Sequence, residues 1–179
     1  MLLQEYPPQV RSVLEELGIS ANLISARALP VHAEAHELVV VEYGENGREH
    51  LLVPAAAAAW RRLTAAARSD DVNLQIASAF RSFERQAEIV REKLESGLSI
   101  DAILSVSAPP GFSEHHTGCA VDVTTSGCLP LEGAFAHTEA FRWLSLHAKR
   151  FGFTLSYPEG NSLGYAYEPW HWCFHETEV

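Results

Sequence analysis

Residues 110–123 read PGFSEHHTGCAVDV, and this stretch decides how the chain folds. Towards its end apolar side chains alternate with Asp122, and this period of two predicts a strand with the carboxylate on one face and apolar residues on the other. Gly111 and Gly118 permit backbone turns that a residue with a Cβ resists. A buried carboxylate needs a partner, and a cation is the simplest one. His115, seven residues before Asp122, offers an imidazole nitrogen to the same cation.

A second stretch near the end of the sequence, EPWHW at residues 168–172, completes a candidate metal site. His171 is the third candidate ligand, and Glu168 is an acid three residues before it. Two histidines, one aspartate and an open position are typical of catalytic zinc. A glutamate close to such a site can act as a general base for an attacking water. The sequence therefore predicts one zinc site on the sheet, with His115, Asp122 and His171 as its ligands.

Three segments carry a resemblance to a known family. They are SAFRSFERQ at residues 78–86, SEHHTGCAVD at residues 113–122 and GYAYEPWH at residues 164–171. Together they resemble the VanY-type zinc carboxypeptidases, which remove D-alanine from peptidoglycan stem peptides. The resemblance runs from about residue 73 to residue 174, which is more than half of the sequence. It implies the same three zinc ligands, and it implies that Glu168 is the catalytic acid and base.

The resemblance also decides between two adjacent histidines. If the backbone at His115 and His116 is extended, their side chains point to opposite sides, and only one of them can face the metal. The family pattern selects His115. At two other positions the sequence departs from the pattern, since Phe80 replaces the usual tyrosine and Cys173 replaces a frequent arginine. Neither position is a ligand, but both can alter the substrate pocket.

Arg81 is the predicted anchor for the substrate. A carboxypeptidase must recognise a terminal carboxylate, and a guanidinium binds one through two parallel hydrogen bonds. Arg81 lies between a predicted strand and the N-terminus of a predicted helix, which itself favours an anion. The resemblance implies that Gln86 and Ser113 help to hold the substrate, and that Tyr157 lines the pocket.

Composition and charge exclude several classes of function. The formal net charge is −10, which argues against nucleic acid or an anionic membrane as the partner. The longest apolar run, at residues 53–60, is too short to span a bilayer. No basic and apolar signal sequence is visible at the start, and three cysteines without CxxC spacing do not suggest a disulfide scaffold. We therefore expect a cytoplasmic protein.

The pattern of apolar residues, caps and breakers predicts an α+β fold in which helices flank an antiparallel sheet. Helices are predicted at residues 7–17, 20–28, 54–68, 82–94 and 136–150, with a short one from Ser99. Strands are predicted at residues 74–79, 119–123, 153–157 and 170–174, and a hairpin at residues 38–53. We expect a single domain over residues 1–179. Residues 53–179 would be the zinc carboxypeptidase core, and residues 1–52 an extension that either shapes the pocket or forms a dimer.

The expected activity is release of D-alanine from muropeptides derived from peptidoglycan. A cytoplasmic enzyme that destroyed pentapeptide precursors would harm wall synthesis, whereas recycled tetrapeptides need trimming, so L,D-carboxypeptidase activity is favoured. A D,D-carboxypeptidase and a phage-type peptidoglycan endopeptidase are the alternatives. A zinc module without activity is disfavoured because Arg81 and Glu168 are both present.

Overall fold

Four antiparallel strands form the sheet that carries the candidate site. The computed structural model describes residues 6–44 and 47–176. The strands are β1 (Val39–Tyr43), β2 (Glu49–Leu52), β3 (Gln75–Ser78), β4 (Ala120–Thr124), β5 (Phe153–Leu155) and β6 (His171–Phe174). The helices are α1 (Pro8–Glu16), α2 (Ala21–Ala26), α3 (Pro54–Ser69), α4 (Phe83–Glu95), α5 (Ile100–Val106) and α6 (Glu139–His147). Short 3-10 helices occupy Glu114–Thr117, Gly133–His137 and Ala148–Phe151.

The larger sheet has the order β3-β4-β6-β5, and β1 and β2 form a separate hairpin. Each neighbouring pair in the larger sheet is antiparallel. The strand β4 is buried along its whole length because β3 and β6 pair with both of its edges and because Val121 and Val123 pack in the larger core cluster. The fold class is therefore the predicted one, an antiparallel sheet with flanking helices and the candidate metal residues on the sheet.

Two clusters of buried side chains stabilise the fold. The larger one packs α3 and α6 against the sheet and includes Trp60, Val121 and Trp172. The second one joins the N-terminal helices α1 and α2 to α4 and α5, with Leu14 and Ile24 among its members. Burial of an aliphatic side chain contributes about 1.5–3 kcal/mol, so the N-terminal helices are stabilised mainly by this second cluster. The division of the chain at residue 52 stays a prediction.

Most predicted elements agree with the structure, since capping residues were visible in the sequence. The side chains of Ser20, Ser82 and Ser99 each accept a hydrogen bond from the first turn of the following helix. The last helix is a correction, because it was predicted from residue 136 but α6 begins at Glu139. The side chain of Thr138 caps α6, and the residues before it form a separate 3-10 helix. The tip of the predicted hairpin, residues 45–46, lies outside the described residues.

Gly118 is required at the turn that enters β4. Its φ is +65°, and a Cβ there would lie 2.9 Å from the Leu38 side chain and 3.2 Å from the Val53 backbone nitrogen. The carbonyl of Gly118 also accepts a hydrogen bond from that nitrogen at 3.0 Å. A side chain would therefore both strain the turn and separate the two segments.

In the described part of the chain, no helix has the length and apolar character needed to cross a membrane.

Candidate metal centre and active site

Two strands and a 3-10 helix bring the predicted ligands together. On β4, Asp122 lies opposite His171 on β6 and opposite Ser78 on β3. His115 reaches the same place from the 3-10 helix just before β4. Its Nε2 lies 3.1 Å from Asp122 Oδ2, and the Nδ1 of His171 lies 3.0 Å from Asp122 Oδ1. All three side chains are buried, and one donor atom from each lies within 4.8 Å of the others.

The remaining ring nitrogen of each histidine is held by a hydrogen bond. His115 donates from Nδ1 to the carbonyl oxygen of Ala79 at 2.7 Å. His171 donates from Nε2 to Glu114 Oε2 at 2.9 Å. Such bonds fix the tautomer and the orientation of a ligating ring. The other nitrogens, His115 Nε2 and His171 Nδ1, face Asp122, and each can offer a lone pair to a metal ion once it has lost its proton.

The residues at this site fit a zinc ion. His115 and His171 lower the pKa of Asp122 well below its usual range, although burial opposes this. Burial also opposes a charge on His171, yet hydrogen bonds to Asp122 and Glu114 raise its pKa to about 10. Asp122 and Glu114 thus place negative charge around His171, which favours a cation between the donors. Two imidazole nitrogens and one carboxylate form a zinc donor set with room for a further ligand.

Glu168 lies at the edge of this cluster. Its Oε2 is 3.9 Å from His171 Nδ1, and its backbone nitrogen donates to the carbonyl oxygen of Tyr157 at 3.1 Å. Burial raises the pKa of Glu168 to about 7; His171 opposes the shift and Asp122 adds to it. A carboxyl group with a pKa near neutral can both take up and release a proton, which suits a general base that later acts as an acid.

Arg81 reaches the site from the turn between β3 and α4. Its guanidinium donates to Gln86 Oε1 at 2.8 Å and to Ser78 Oγ at 3.1 Å, and it lies 3.8 Å from Asp122 Oδ2. Gln86 is fully buried behind the guanidinium and donates to the carbonyl oxygen of Ala108 at 2.7 Å. The structure therefore places Gln86 as a support of Arg81, and places Arg81 on the wall of the cavity.

The other two predicted substrate residues also lie beside the candidate metal ligands. Ser113 lines the cavity, and its hydroxyl accepts a hydrogen bond from the backbone nitrogen of His115 at 3.3 Å. The ring of Tyr157 lies 4.7 Å from the ring of His171 and lines the same cavity. All the predicted site residues except Gln86 thus share one cavity of about 400 Å³.

The structure corrects the reasoning about His116. The backbone from Glu114 to Thr117 is a 3-10 helix and not an extended segment. The side chains of His115 and His116 therefore do not point to opposite sides in the way that was predicted for a strand. His116 instead points away because both of its ring nitrogens are engaged. Its Nδ1 donates to the carbonyl oxygen of Arg81 at 2.7 Å, and its Nε2 accepts from the backbone nitrogen of Gly111 at 3.1 Å.

Glu114 is a functional candidate that the sequence analysis missed. Its carboxylate accepts hydrogen bonds from His171 Nε2 at 2.9 Å and from Ser156 Oγ at 2.6 Å. Burial opposes ionisation, but these bonds hold the pKa of Glu114 at about 2. The residue stood inside the motif, at the variable position between Ser113 and His115. Its role depends on a contact with a strand 57 residues away, which no local spacing shows.

Comparison with known proteins agrees with this geometry. The family profile described as VanY: D-alanyl-D-alanine carboxypeptidase matches residues 49–177. The chain belongs to this family. A D-alanyl-D-alanine carboxypeptidase of Enterococcus faecalis is 36% identical over 119 residues, which are 61% of this chain and 42% of that protein. The chain spans about half the length of the curated relatives that it matches, between 42% and 55% for the first two.

Solved structures of related proteins show the same fold. The LdcB LD-carboxypeptidase gives a TM-score of 0.71 at 30% identity, over 81% of this chain and 71% of that one. A variant of the D,D-pentapeptidase VanY from a VanB-type vancomycin resistance cassette gives 0.61 at 32% identity, over 78% of this chain and 79% of that one. That second structure is a complex with Zn(II). The candidate donor set of this chain fits the same ion.

The assignment of ligands predicts the metal content of variants. Purified protein should hold about one zinc per chain, and His115→Ala or His171→Ala should lose most of it because two donors cannot hold the ion tightly. His116→Ala is the matched control, since it removes a neighbouring buried imidazole that faces away. Metal analysis of the folded fraction checks this prediction, and full zinc content in both ligand variants would contradict it.

The contact between Glu114 and His171 predicts a weaker effect on zinc binding. Glu114→Ala should weaken zinc affinity by about 10–100-fold, because the His171 ring loses the carboxylate that orients it. Glu114→Gln should recover part of the loss, since an amide oxygen can still accept the hydrogen bond. Titration against a competing chelator measures the affinity, with Glu132→Ala as an exposed control. An unchanged affinity in Glu114→Ala would show that the contact does not support the metal.

Proposed function

We propose that this protein is a zinc carboxypeptidase that removes a terminal D-alanine from peptidoglycan stem peptides. The observation that carries the proposal is the single cavity of about 400 Å³ lined by Arg81, Glu168 and the three metal ligands. It combines a carboxylate anchor, a general base and a metal centre within one peptide-sized space. Membership of the VanY family supports the same reaction.

The position of Arg81 favours cleavage one residue from the end of a peptide. Its guanidinium lies 3.8 Å from Asp122 Oδ2, beside the metal ligands. A terminal carboxylate bound by two hydrogen bonds to Arg81 would place the last peptide bond close to that centre. Gln86 and Ser78 hold the guanidinium in place before the substrate binds. Less side-chain conformational entropy of Arg81 is therefore lost when the substrate binds.

Glu168 is the residue that moves protons in this proposal. Its carboxylate takes a proton from the attacking water and later gives it to the amine of the departing D-alanine. Bound zinc would supply a Lewis acid that polarises the scissile carbonyl and lowers the pKa of water. Tyr157 and Trp170 line the cavity together with Glu168, and burial of the Glu168 carboxylate raises its pKa.

Within this activity we favour the L,D bond, between an L-centred diamino acid and D-alanine. This choice is supported by the expectation that recycled tetrapeptides need trimming. The TM-scores do not separate the two classes, since the LD-carboxypeptidases LdcB and DacB give 0.71 and 0.59 and the D,D-pentapeptidase VanY gives 0.61. The D,D bond is the second candidate, and the family profile and the 36% identity to a D-alanyl-D-alanine carboxypeptidase favour it. The cytoplasmic location and the role in recycling stay predictions that cell fractionation can test.

The role of Glu168 predicts a variant that separates chemistry from metal binding. Glu168→Ala should keep its zinc and its fold but lose about 10²–10⁴-fold in kcat, because the general base is removed. Glu159→Ala, an exposed residue nearby, is the control for the loss of a carboxylate. Turnover and zinc content are measured on the same preparation. Near-normal turnover in Glu168→Ala would exclude it as the base.

The proposed bond and anchor predict which peptides are cleaved. Tetrapeptide should give a higher kcat/KM than pentapeptide, with release of one D-alanine detected by mass spectrometry. Amidation of the terminal carboxylate should remove most of the activity, and Arg81→Ala should lose as much and become insensitive to amidation, since both changes remove one interaction. Arg62→Ala is the control, an exposed arginine on α3.

Three outcomes of the peptide experiment separate the alternatives. A preference for pentapeptide would replace the L,D assignment by the D,D one and keep the carboxypeptidase. Equal cleavage of free and amidated peptides would exclude Arg81 as a carboxylate anchor. Cuts within cross-links would favour the peptidoglycan endopeptidase instead.

A further inference from the structure

A second cationic side chain lines the cavity and has no role in the proposed reaction. Lys93 lies on α4 seven residues after Gln86, so the two share one face of the helix. It is half-buried, and its ammonium donates to Ser107 Oγ at 2.5 Å. Among residues 6–44 and 47–176, no carboxylate lies within 4.0 Å of that ammonium. A lysine has three N–H donors, so the hydroxyl of Ser107 leaves donors for a ligand.

The surroundings of Lys93 make such a ligand anionic. Burial and the nearby Arg81 lower the pKa of Lys93, whereas Glu168 raises it. Ile89, Val106 and Tyr165 line the same cavity and add apolar surface to it. Interactions between charges are stronger in such a medium than at an exposed surface. A carboxylate bound there would therefore compensate the cost of burying the ammonium.

We propose that Lys93 binds a second carboxylate of the substrate, so that the preferred peptide carries an acidic group besides its terminal carboxylate. This inference rests on the proposed carboxypeptidase function and specifies its substrate class. Stem peptides offer such a group in two places, as the free α-carboxylate of a γ-linked D-glutamate or as the side-chain carboxylate of a diaminopimelate. In both cases the ligand is a carboxylate that an ammonium recognises by charge and hydrogen bonds.

Kinetics with matched peptides test the proposal. Four tetrapeptides are compared, with both inner carboxylates free, with either one amidated, and with both amidated. Amidation of the carboxylate that Lys93 contacts should lower kcat/KM by about 10-fold or more in the unmodified protein. Lys93→Met should show the same loss on the free peptide and no further loss on amidation. Lys93→Arg should restore part of the discrimination.

The control is Lys149→Met, which removes the other lysine of the sequence, an exposed residue after α6. The amidation that matters identifies which of the two carboxylates is bound. If Lys93→Met lowers kcat/KM by the same factor on all four peptides, the proposal is overturned. Lys93 would then affect the reaction, for example through Glu168, without contacting an inner carboxylate of the substrate. The proposal is also overturned if Lys93→Met keeps both the kcat/KM values and the ratio between free and amidated peptides of the unmodified protein.

Failure of the proposed function gives a different result. If none of the peptides releases D-alanine, the carboxypeptidase is excluded, and Lys93 is then tested by binding alone. Calorimetry with the zinc-loaded Glu168→Ala variant measures the affinity of the same four peptides without turnover. Weaker binding of one amidated peptide, absent in a double variant with Lys93→Met, supports the second carboxylate contact. Equal affinity for all four overturns it.

Discussion

The carboxylate of Asp122 lies between two imidazoles in the middle of the sheet, and the arrangement around it depends on this interaction. A carboxylate that is 3% exposed is expensive to bury unless opposite charges and hydrogen bonds compensate. The sheet order provides this compensation, because β4 lies between β3 and β6. His171 therefore faces Asp122 directly across one strand pair, and Arg81 approaches it from the end of the other.

The support extends outward from the ligands in hydrogen-bonded steps. His115 is fixed by a backbone carbonyl of Ala79, next to β3, whereas His171 is fixed by the carboxylate of Glu114. Glu114 is in turn fixed by Ser156, in the segment after β5. Each ligand thus depends on a different part of the sheet, so a shift of any one strand would misalign the donors. A buried, fully partnered network of this kind specifies one arrangement.

Local features of the sequence predicted much of the fold and pointed to the three candidate ligands that the structure brings together. Long-range contacts account for what was missed. Serine caps and the period of two in β4 act within a few residues, so they could be recognised without coordinates. The start of α6 was misplaced because its helical pattern continues through Thr138, and the capping side chain interrupts it. His116 was excluded as a ligand for a wrong reason, since its actual partners are backbone groups of Arg81 and Gly111. Glu114 was missed because its partner, His171, is distant in sequence.

The N-terminal helices, which precede the region matched by the family, reach the active site through one arginine. Arg27, at the end of α2, donates to the carbonyl oxygens of Leu163 and Leu104, and its guanidinium lies 4.2 Å above the ring of Tyr165. The Tyr165 ring is 4.8 Å from Tyr157, whose ring is 4.7 Å from His171. Side chains packed in such a chain limit one another's rotamers. Of the two roles considered for the extension, these contacts favour shaping the pocket wall, because they connect α2 to the candidate ligand His171 through only two aromatic rings.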